Sequence, residues 1–235
     1  MAEGLTSAPV ATDYTLEFVR SHLPDGARAI LEIGCGAGEL AARIHEAGMT
    51  VVAVDSEASC VEAACRKGVD ARVLSWPATI DGRFDAVLFT RSLHHVHDLE
   101  GGLDAAERVL RPGGRIIVED SGIEGTSEGS DRWYTGLTRT LAAAGAFTDG
   151  FDLDHALAKI DIGDHVHELH SSTVIEAALR RFAHVQAEDS AYYFRYLEPD
   201  LRGGAGAARA LLDHELGLMA TGAIDPLGRR FVAVP

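Results

Sequence analysis

The chain has 235 residues, 46% apolar and 24% charged, with 21 basic against 36 acidic side chains and a net charge of −15. That length and composition allow a substantial core and exclude a largely disordered chain. The acidic excess argues against nucleic acid or an anionic membrane as partner, since both are bound through a basic footprint. Residues 1–13 lack the basic start and apolar stretch of a secretory leader, and no apolar run approaches the roughly 18 residues of a membrane span. Cys35, Cys60 and Cys65 are odd in number and without paired spacing, which suits free thiols in a reducing compartment, so the expected location is cytoplasmic.

In chain order, 28–33 reads as a short buried strand and 39–47 carries apolar residues at helical spacing, so the intervening glycines sit at a strand-to-helix turn. A second apolar strand over 50–54 ends in Asp55, and Ser56 is positioned to cap a helix with Val61, Ala64 and Cys65 on its apolar stripe. Strands three and four are expected over 70–74 and 84–90. The helix over 99–110 repeats Leu99, Leu103, Ala106 and Leu110 on one face and stops at Arg111-Pro112-Gly113-Gly114, a turn before strand five at 115–119. This alternation predicts an α/β fold with a mostly parallel sheet covered on both faces. Beyond it, 121–130 reads as a loop, 133–144 and 152–158 as helices, and Thr173-Val174-Ile175-Glu176 as a capping box opening a helix through Arg181. A sixth strand is expected within 182–197, ending in the aromatic group Tyr192, Tyr193, Phe194 and Tyr196; a long helix over 206–219 and a closing strand over 230–234 follow.

The most informative stretch is Leu31-Glu32-Ile33-Gly34-Cys35-Gly36-Ala37-Gly38, an apolar strand running into alternating glycines that bring bare backbone against a ligand. Asp55 follows Gly34 at the roughly 20-residue separation at which an acidic side chain reaches the ribose hydroxyls of a bound adenosine. A dinucleotide fingerprint would need glycine where Glu39 stands, and a Walker loop would need a Gly-Lys-Ser/Thr that is absent, the only lysines being Lys67 and Lys159. Glu32 suits a ligand carrying an ammonium and a sulfonium better than a pyrophosphate.

Together with 51–55, Phe84-Asp85-Ala86-Val87, Leu93-His94-His95-Val96 and Arg108-Val109-Leu110-Arg111-Pro112-Gly113-Gly114-Arg115, that stretch resembles the class I S-adenosylmethionine-dependent methyltransferases in both order and spacing. The likeness covers 14–119. It implies a Rossmann-like seven-stranded sheet, mostly parallel with an antiparallel last strand, with S-adenosyl-L-methionine at the carboxyl ends of the first strands. By matching motif, Gly34, Cys35, Gly36 and Gly38 would line the methionine part and Glu32 would hold its amino group. Asp55, with Ser56 beside it, would take the ribose, and Leu74, Ser75 and Trp76 would surround the adenine. Ser75 stands where relatives usually carry Asp. Thr90 and Arg91, after strand four, would approach the methionine group, with Arg91 placed to pair with its carboxylate.

Methyl transfer from a sulfonium needs alignment and a dry pocket, with a base only where the acceptor is protonated. His95 is the first candidate for that base and His94 the second, because both follow strand four beside the expected methyl group. Asp120 is a candidate substrate anchor or alternative base, as is Glu119. The segment 121–172 is expected to be a helical elaboration acting as a substrate lid, with Trp133, Tyr134, His167 and His170 facing the acceptor. His165, His167 and His170 with Asp161, Asp164 and Glu168 do not put three ligands on one element, so no metal is expected. The expected function is methyl transfer to oxygen, nitrogen or carbon of a small molecule in secondary metabolism, by one methyltransferase domain over 1–235. A non-catalytic cofactor-binding or regulatory protein of the same fold is the alternative. Cofactor binding is assigned to 14–120.

Overall fold

The computed structural model describes residues 9–122, 127–160 and 170–235. Seven strands form one sheet: β1 (Ala29–Ile33), β2 (Thr50–Asp55), β3 (Asp70–Val73), β4 (Phe84–Thr90), β5 (Leu110–Ser121), β6 (His184–Ser190) and β7 (Gly228–Val234), in the order β3-β2-β1-β4-β5-β7-β6. β1 to β5 run parallel, and β7 is antiparallel to both β5 and β6. This is the parallel sheet that the alternating pattern predicts, extended to the Rossmann-like seven strands with an antiparallel last strand that the resemblance implies. The helices are α1 (Val10–His22), α2 (Glu39–Glu46), α3 (Ala58–Arg66), α4 (Leu99–Val109), α5 (Glu128–Ala143), α6 (Leu153–Ala158), α7 (Ser172–Leu179), α8 (Phe194–Leu197) and α9 (Gly204–Ala220).

Alternation along β1 divides the core. Leu31 and Ile33 point into a cluster with Leu103 and Ala106 of α4 and Ile175 and Leu179 of α7. Ile30, on the other face, joins Leu16 and Val19 of α1 and Leu40, Ala41 and Ile44 of α2. A third core stands apart from the sheet. It unites Val10 and Ala11 of α1, Tyr134 of α5, Ala156 of α6, Phe194 and Leu197 of α8, and Ala208 and Leu212 of α9. No described helix is long and apolar enough to cross a membrane.

Several local expectations are corrected. Residues 10–22, to which the sequence pattern assigns no element, form α1. Ser56 does not cap α3, which begins at Ala58 with Glu57 before it, and Cys65 is exposed while Val61 and Ala64 are buried. Arg111-Pro112-Gly113-Gly114 lies inside β5: Leu110 pairs with Phe84 and Arg115 with Ala86, so the extra residues bulge out where Gly113 takes φ +78°. α7 is capped two residues earlier than the Thr173 motif implies, by Ser171, whose hydroxyl accepts the Val174 N–H, while Glu176 pairs with Arg180 and Arg229. The aromatic group after β6 is not strand; Phe194 and Tyr196 belong to α8.

The connection between β6 and β7 departs most from economy. Antiparallel neighbours need only a tight turn, yet the chain leaves the sheet at Ser190 and returns at Gly228, its pairing partner, after building α8 and α9.

Candidate functional site

The carboxyl ends of β1, β2, β3 and β4 open into one cavity of about 1490 Å³. Crevices outside these strand ends are where open α/β sheets bind ligands. Glu32, Gly34, Cys35, Gly36, Asp55, Ser56, Leu74, Ser75, Trp76, Thr90, Arg91 and His95 all line it. These residues span β1 to the turn after β4, and the parallel register is what gathers them.

The glycines after β1 divide their work. A Cβ on Gly34 would meet the Ser92 Cβ at 2.4 Å, and one on Gly38 would meet the Ala64 Cβ at 2.5 Å, so both permit close packing; Gly38 lies outside the cavity wall, at the start of α2. Gly36, at φ +51°, would meet nothing within 4 Å and leaves its backbone open to the cavity. The loop is tied down from β2: the N–H groups of Gly34 and Cys35 donate to the Val54 carbonyl at 2.8 and 3.0 Å, and the Gly36 N–H donates to Asp55 Oδ2 at 2.8 Å. Asp55 Oδ1 accepts the Glu57 N–H at 2.9 Å. Burial pushes the Cys35 thiol up to about 12, with the Glu32 and Asp55 carboxylates adding to it, which leaves it inert as a nucleophile.

Glu32 is almost wholly buried, at 1% exposure. Its Oε1 accepts the Thr90 hydroxyl at 3.1 Å, and its Oε2 has no partner. Burial pushes its carboxyl up to about 7, against the opposing pull of the Thr90 hydrogen bond and the Arg91 charge. Arg91 takes φ +61°, in the left-handed region that ordinary side chains rarely adopt. Its side chain is exposed in the cavity, and its N–H donates to the Glu119 carbonyl at 2.6 Å. Farther along the cavity wall, Trp76 is fixed by a 3.0 Å hydrogen bond from its Nε1–H to the Gly102 carbonyl.

The consecutive histidines separate. They lie on a single 3-10 turn, Leu93–His95, with ring centroids 3.9 Å apart. His95 faces the cavity, and burial, reinforced by the His94 charge, holds its imidazole below the usual value. His94 is buried off the cavity wall, its Nδ1 2.5 Å from Oδ1 of Asp120, a carboxylate with 0% exposure. An ionised carboxylate only accepts, so the Nδ1 carries the proton in that contact. Asp120 also accepts the N–H groups of His94 and Ser121, at 3.3 and 2.9 Å, and is thereby committed to shaping the turn rather than to facing an acceptor. His170 likewise braces it: its N–H donates to the His94 carbonyl at 3.2 Å, and its Nε2 donates to the Val96 carbonyl at 2.9 Å.

Trp133 and Tyr134, expected to face an acceptor, pack into the third core instead. Tyr134 is fully buried and donates its hydroxyl to the Ala156 carbonyl at 3.1 Å, while Trp133 lies edge-on to Tyr193. A large aromatic on α5 gains more from that core than from solvent. His167 lies outside the described residues. None of the described residues of 121–172 lines the cavity. Its second wall comes from parts that sequence patterning did not single out: Pro9, Ala11, Thr12 and Thr15 from α1 and its approach, and Arg195, Glu198, Pro199, Leu201, Gly204 and Ala205 from the β6–β7 connection. Glu119 sits behind that wall, fully buried, with Arg195 and Arg230 each 2.7 Å away and the Thr15 hydroxyl donating at 2.6 Å. Burial raises its carboxyl, but the two guanidinium charges outweigh that and hold it below the usual carboxylate range.

Residues 31–118, the stretch that supplies the cavity wall from β1 to the turn after β4, match the family described as methyltransferase domain. Over that stretch the chain is similar to methyltransferase domains. The ubiquinone biosynthesis O-methyltransferase of Xanthomonas oryzae pv. oryzae (strain PXO99A) is 33% identical over 112 residues, covering 44% of this chain and 47% of that protein. The chain thus spans about half the length of the curated relatives it matches. The fold extends further than that identity. A solved S-adenosylmethionine-dependent methyltransferase from Archaeoglobus fulgidus superposes with a TM-score of 0.59 at 15% identity, over 97% of this chain and 94% of that one. The [4+2]-cyclase SpnF gives 0.56 at 20% identity, over 98% and 85%. The chain therefore shares its fold both with a methyltransferase and with a cyclase.

Proposed function

We propose that this chain transfers a methyl group from S-adenosylmethionine to an oxygen, nitrogen or carbon atom of a small molecule. The observation that carries the reading is the orphaned Oε2 of Glu32, buried in the wall of a cavity that the open Gly36 backbone and His95 also line. When bound, the cofactor supplies an electrophilic methyl group on a sulfonium, so the chain's task is alignment and exclusion of water. Glu32 would hold the ammonium, Arg91 the carboxylate, and Gly34, Cys35 and Gly36 the backbone of the methionine part. Asp55, with Ser56, would accept the ribose hydroxyls on the lone pairs its two backbone contacts leave free, and Leu74, Ser75 and Trp76 would enclose the base.

His95 is the residue placed to take a proton from an acceptor, because it lines the cavity and its lowered proton affinity leaves the imidazole neutral at pH 7. His94, Asp120 and His170 support it by fixing the turn. The cavity volume exceeds what pockets for one drug-sized ligand usually offer, roughly 300–1,000 Å³, which supports room for donor and acceptor together. Calorimetry with S-adenosylhomocysteine tests the first link, and a methyl-transfer screen against phenols, amines and carbon acids tests the second. Absence of binding by the folded protein would remove the reading. Binding without transfer to any acceptor would favour a non-catalytic protein of this fold.

A further inference from the structure

The glycine turn after β1 is gripped from outside the cavity, by the last residue of the helix that follows β2. We infer that Lys67 is a positioning residue of the cofactor site: its ammonium clasps the Ala37 carbonyl and so holds the backbone of Gly36 and Ala37 in the orientation that receives the methionine part of the cofactor. The inference rests on the methyl-transfer reading above.

Ala37 stands between two glycines in the left-handed region, Gly36 at φ +51° and Gly38 at φ +78°. Flanked in this way, its peptide groups meet little steric resistance to rotation, so the local sequence leaves the turn several backbone conformations. Tethers must choose among them. Asp55 of β2 takes the Gly36 N–H at 2.8 Å, and the Gly38 N–H donates to the Cys35 carbonyl at 3.0 Å. The other half of that last peptide, the Ala37 carbonyl, accepts Lys67 Nζ at 2.7 Å. Between these fixed peptides lies the one that joins Gly36 to Ala37, and both of its residues line the cavity.

Lys67 is itself well anchored for this task. It closes α3, its N–H donating to the Ala64 carbonyl at 3.0 Å, and Ala64 is the residue against which Gly38 packs. The side chain therefore starts beside the turn it holds. Nζ also lies 3.3 Å from Oε1 of Glu39 in the first turn of α2, so one cation ties together the end of α3, the turn and the start of α2. Of the two contacts the carbonyl is the shorter, and the carboxylate, 42% exposed, is screened by solvent, so the carbonyl contact carries the function. Lys67 does not line the cavity and acts on a ligand only through Ala37. A clasp of this kind sets affinity by setting what fraction of the free protein already holds the binding-competent turn.

The test compares the wild type with Lys67→Met, which keeps a long stem without the charge, and Lys67→Arg, which keeps a cationic N–H donor. S-adenosylhomocysteine affinity is measured by calorimetry, and amide hydrogen exchange of the free proteins by NMR. Expected is binding weakened roughly three- to tenfold in Lys67→Met, the worth of one hydrogen bond, and held within about twofold in Lys67→Arg, because a single carbonyl asks only for a charged donor. The Gly38 amide, which belongs to the clasped peptide, should exchange faster by a similar factor in free Lys67→Met and at the wild-type rate in Lys67→Arg. Equal affinity in wild type and Lys67→Met would overturn the inference, as would a loss in Lys67→Arg as large as that in Lys67→Met, or an unchanged Gly38 exchange rate. Failure of the folded wild type to bind S-adenosylhomocysteine would remove the methyl-transfer reading instead, and the exchange comparison would still decide whether Lys67 holds the turn.

Discussion

Glu32→Gln should make the free protein more stable and a poorer binder of cofactor. The unfolded chain ionises this carboxyl at its ordinary value of 4.5, whereas the folded chain holds it protonated up to about 7. Between those values the folded state keeps a proton that the unfolded state has lost, so stability falls as pH rises through that window and then levels off. At about 1.36 kcal/mol per unit, the accumulated cost above pH 7 is about 3 kcal/mol. The substituted amide keeps an oxygen for the Thr90 hydroxyl and never ionises. Thermal unfolding of the two proteins at pH 5 and pH 8 measures the difference: the advantage of the variant should be small at the lower pH and reach roughly 6–12 °C at the higher one for a chain of this length. With saturating S-adenosylhomocysteine at pH 8 that advantage should shrink to between zero and about 1.5 kcal/mol, because losing a hydrogen bond to a charged partner costs about 1.5–3 kcal/mol of affinity. A melting difference that does not change between pH 5 and pH 8 would refute the assignment of a titrating carboxyl at the base of the cavity.

Glu119 should behave with the opposite sign. Its folded value is depressed, so its contribution is present above the ordinary carboxylate range and is lost as pH falls through the folded value; Glu119→Gln should cost about 3–5 kcal/mol in a denaturant titration at pH 7, because Arg195 and Arg230 lose a buried counter-charge. Asp55→Ala should weaken S-adenosylhomocysteine by about 1–3 kcal/mol in calorimetry, and unchanged affinity would remove Asp55 from the cofactor site. For His95→Ala, turnover should fall while cofactor affinity holds. In the wild type kcat/KM should rise with pH through a midpoint below the ordinary imidazole value of about 6.5, and wild-type turnover in the variant would make His95 a packing residue.

Local order is legible where one face of an element is buried. β4 is found over the residues expected, because an unbroken apolar run between polar ends has no other register to adopt. The turn after β1 is equally readable, since glycine spacing encodes backbone conformation directly. What stays hidden depends on partners distant in sequence. Nothing in His94-His95 says which ring meets the cavity; Asp120, buried on the next strand, decides it. Tyr192 to Leu197 reads like the end of a strand because its aromatic content suits one, and Glu215 turns it into a helix from across the fold. Trp133 and Tyr134 have the composition of a binding pocket, but the third core that claims them exists only once α8 and α9 are in place.

The pairing of Ser190 with Gly228 has a consequence for how the connection between β6 and β7 is held. A Cβ at residue 228 would lie 2.2 Å from the Ser190 hydroxyl, so the exit and re-entry points are pinched into a single rung that only glycine allows. The ends of the connection are thus fixed by strand pairing alone, whereas the residues between them are held by separate ties to Glu119, to the start of α1 and to the chain between α5 and α6.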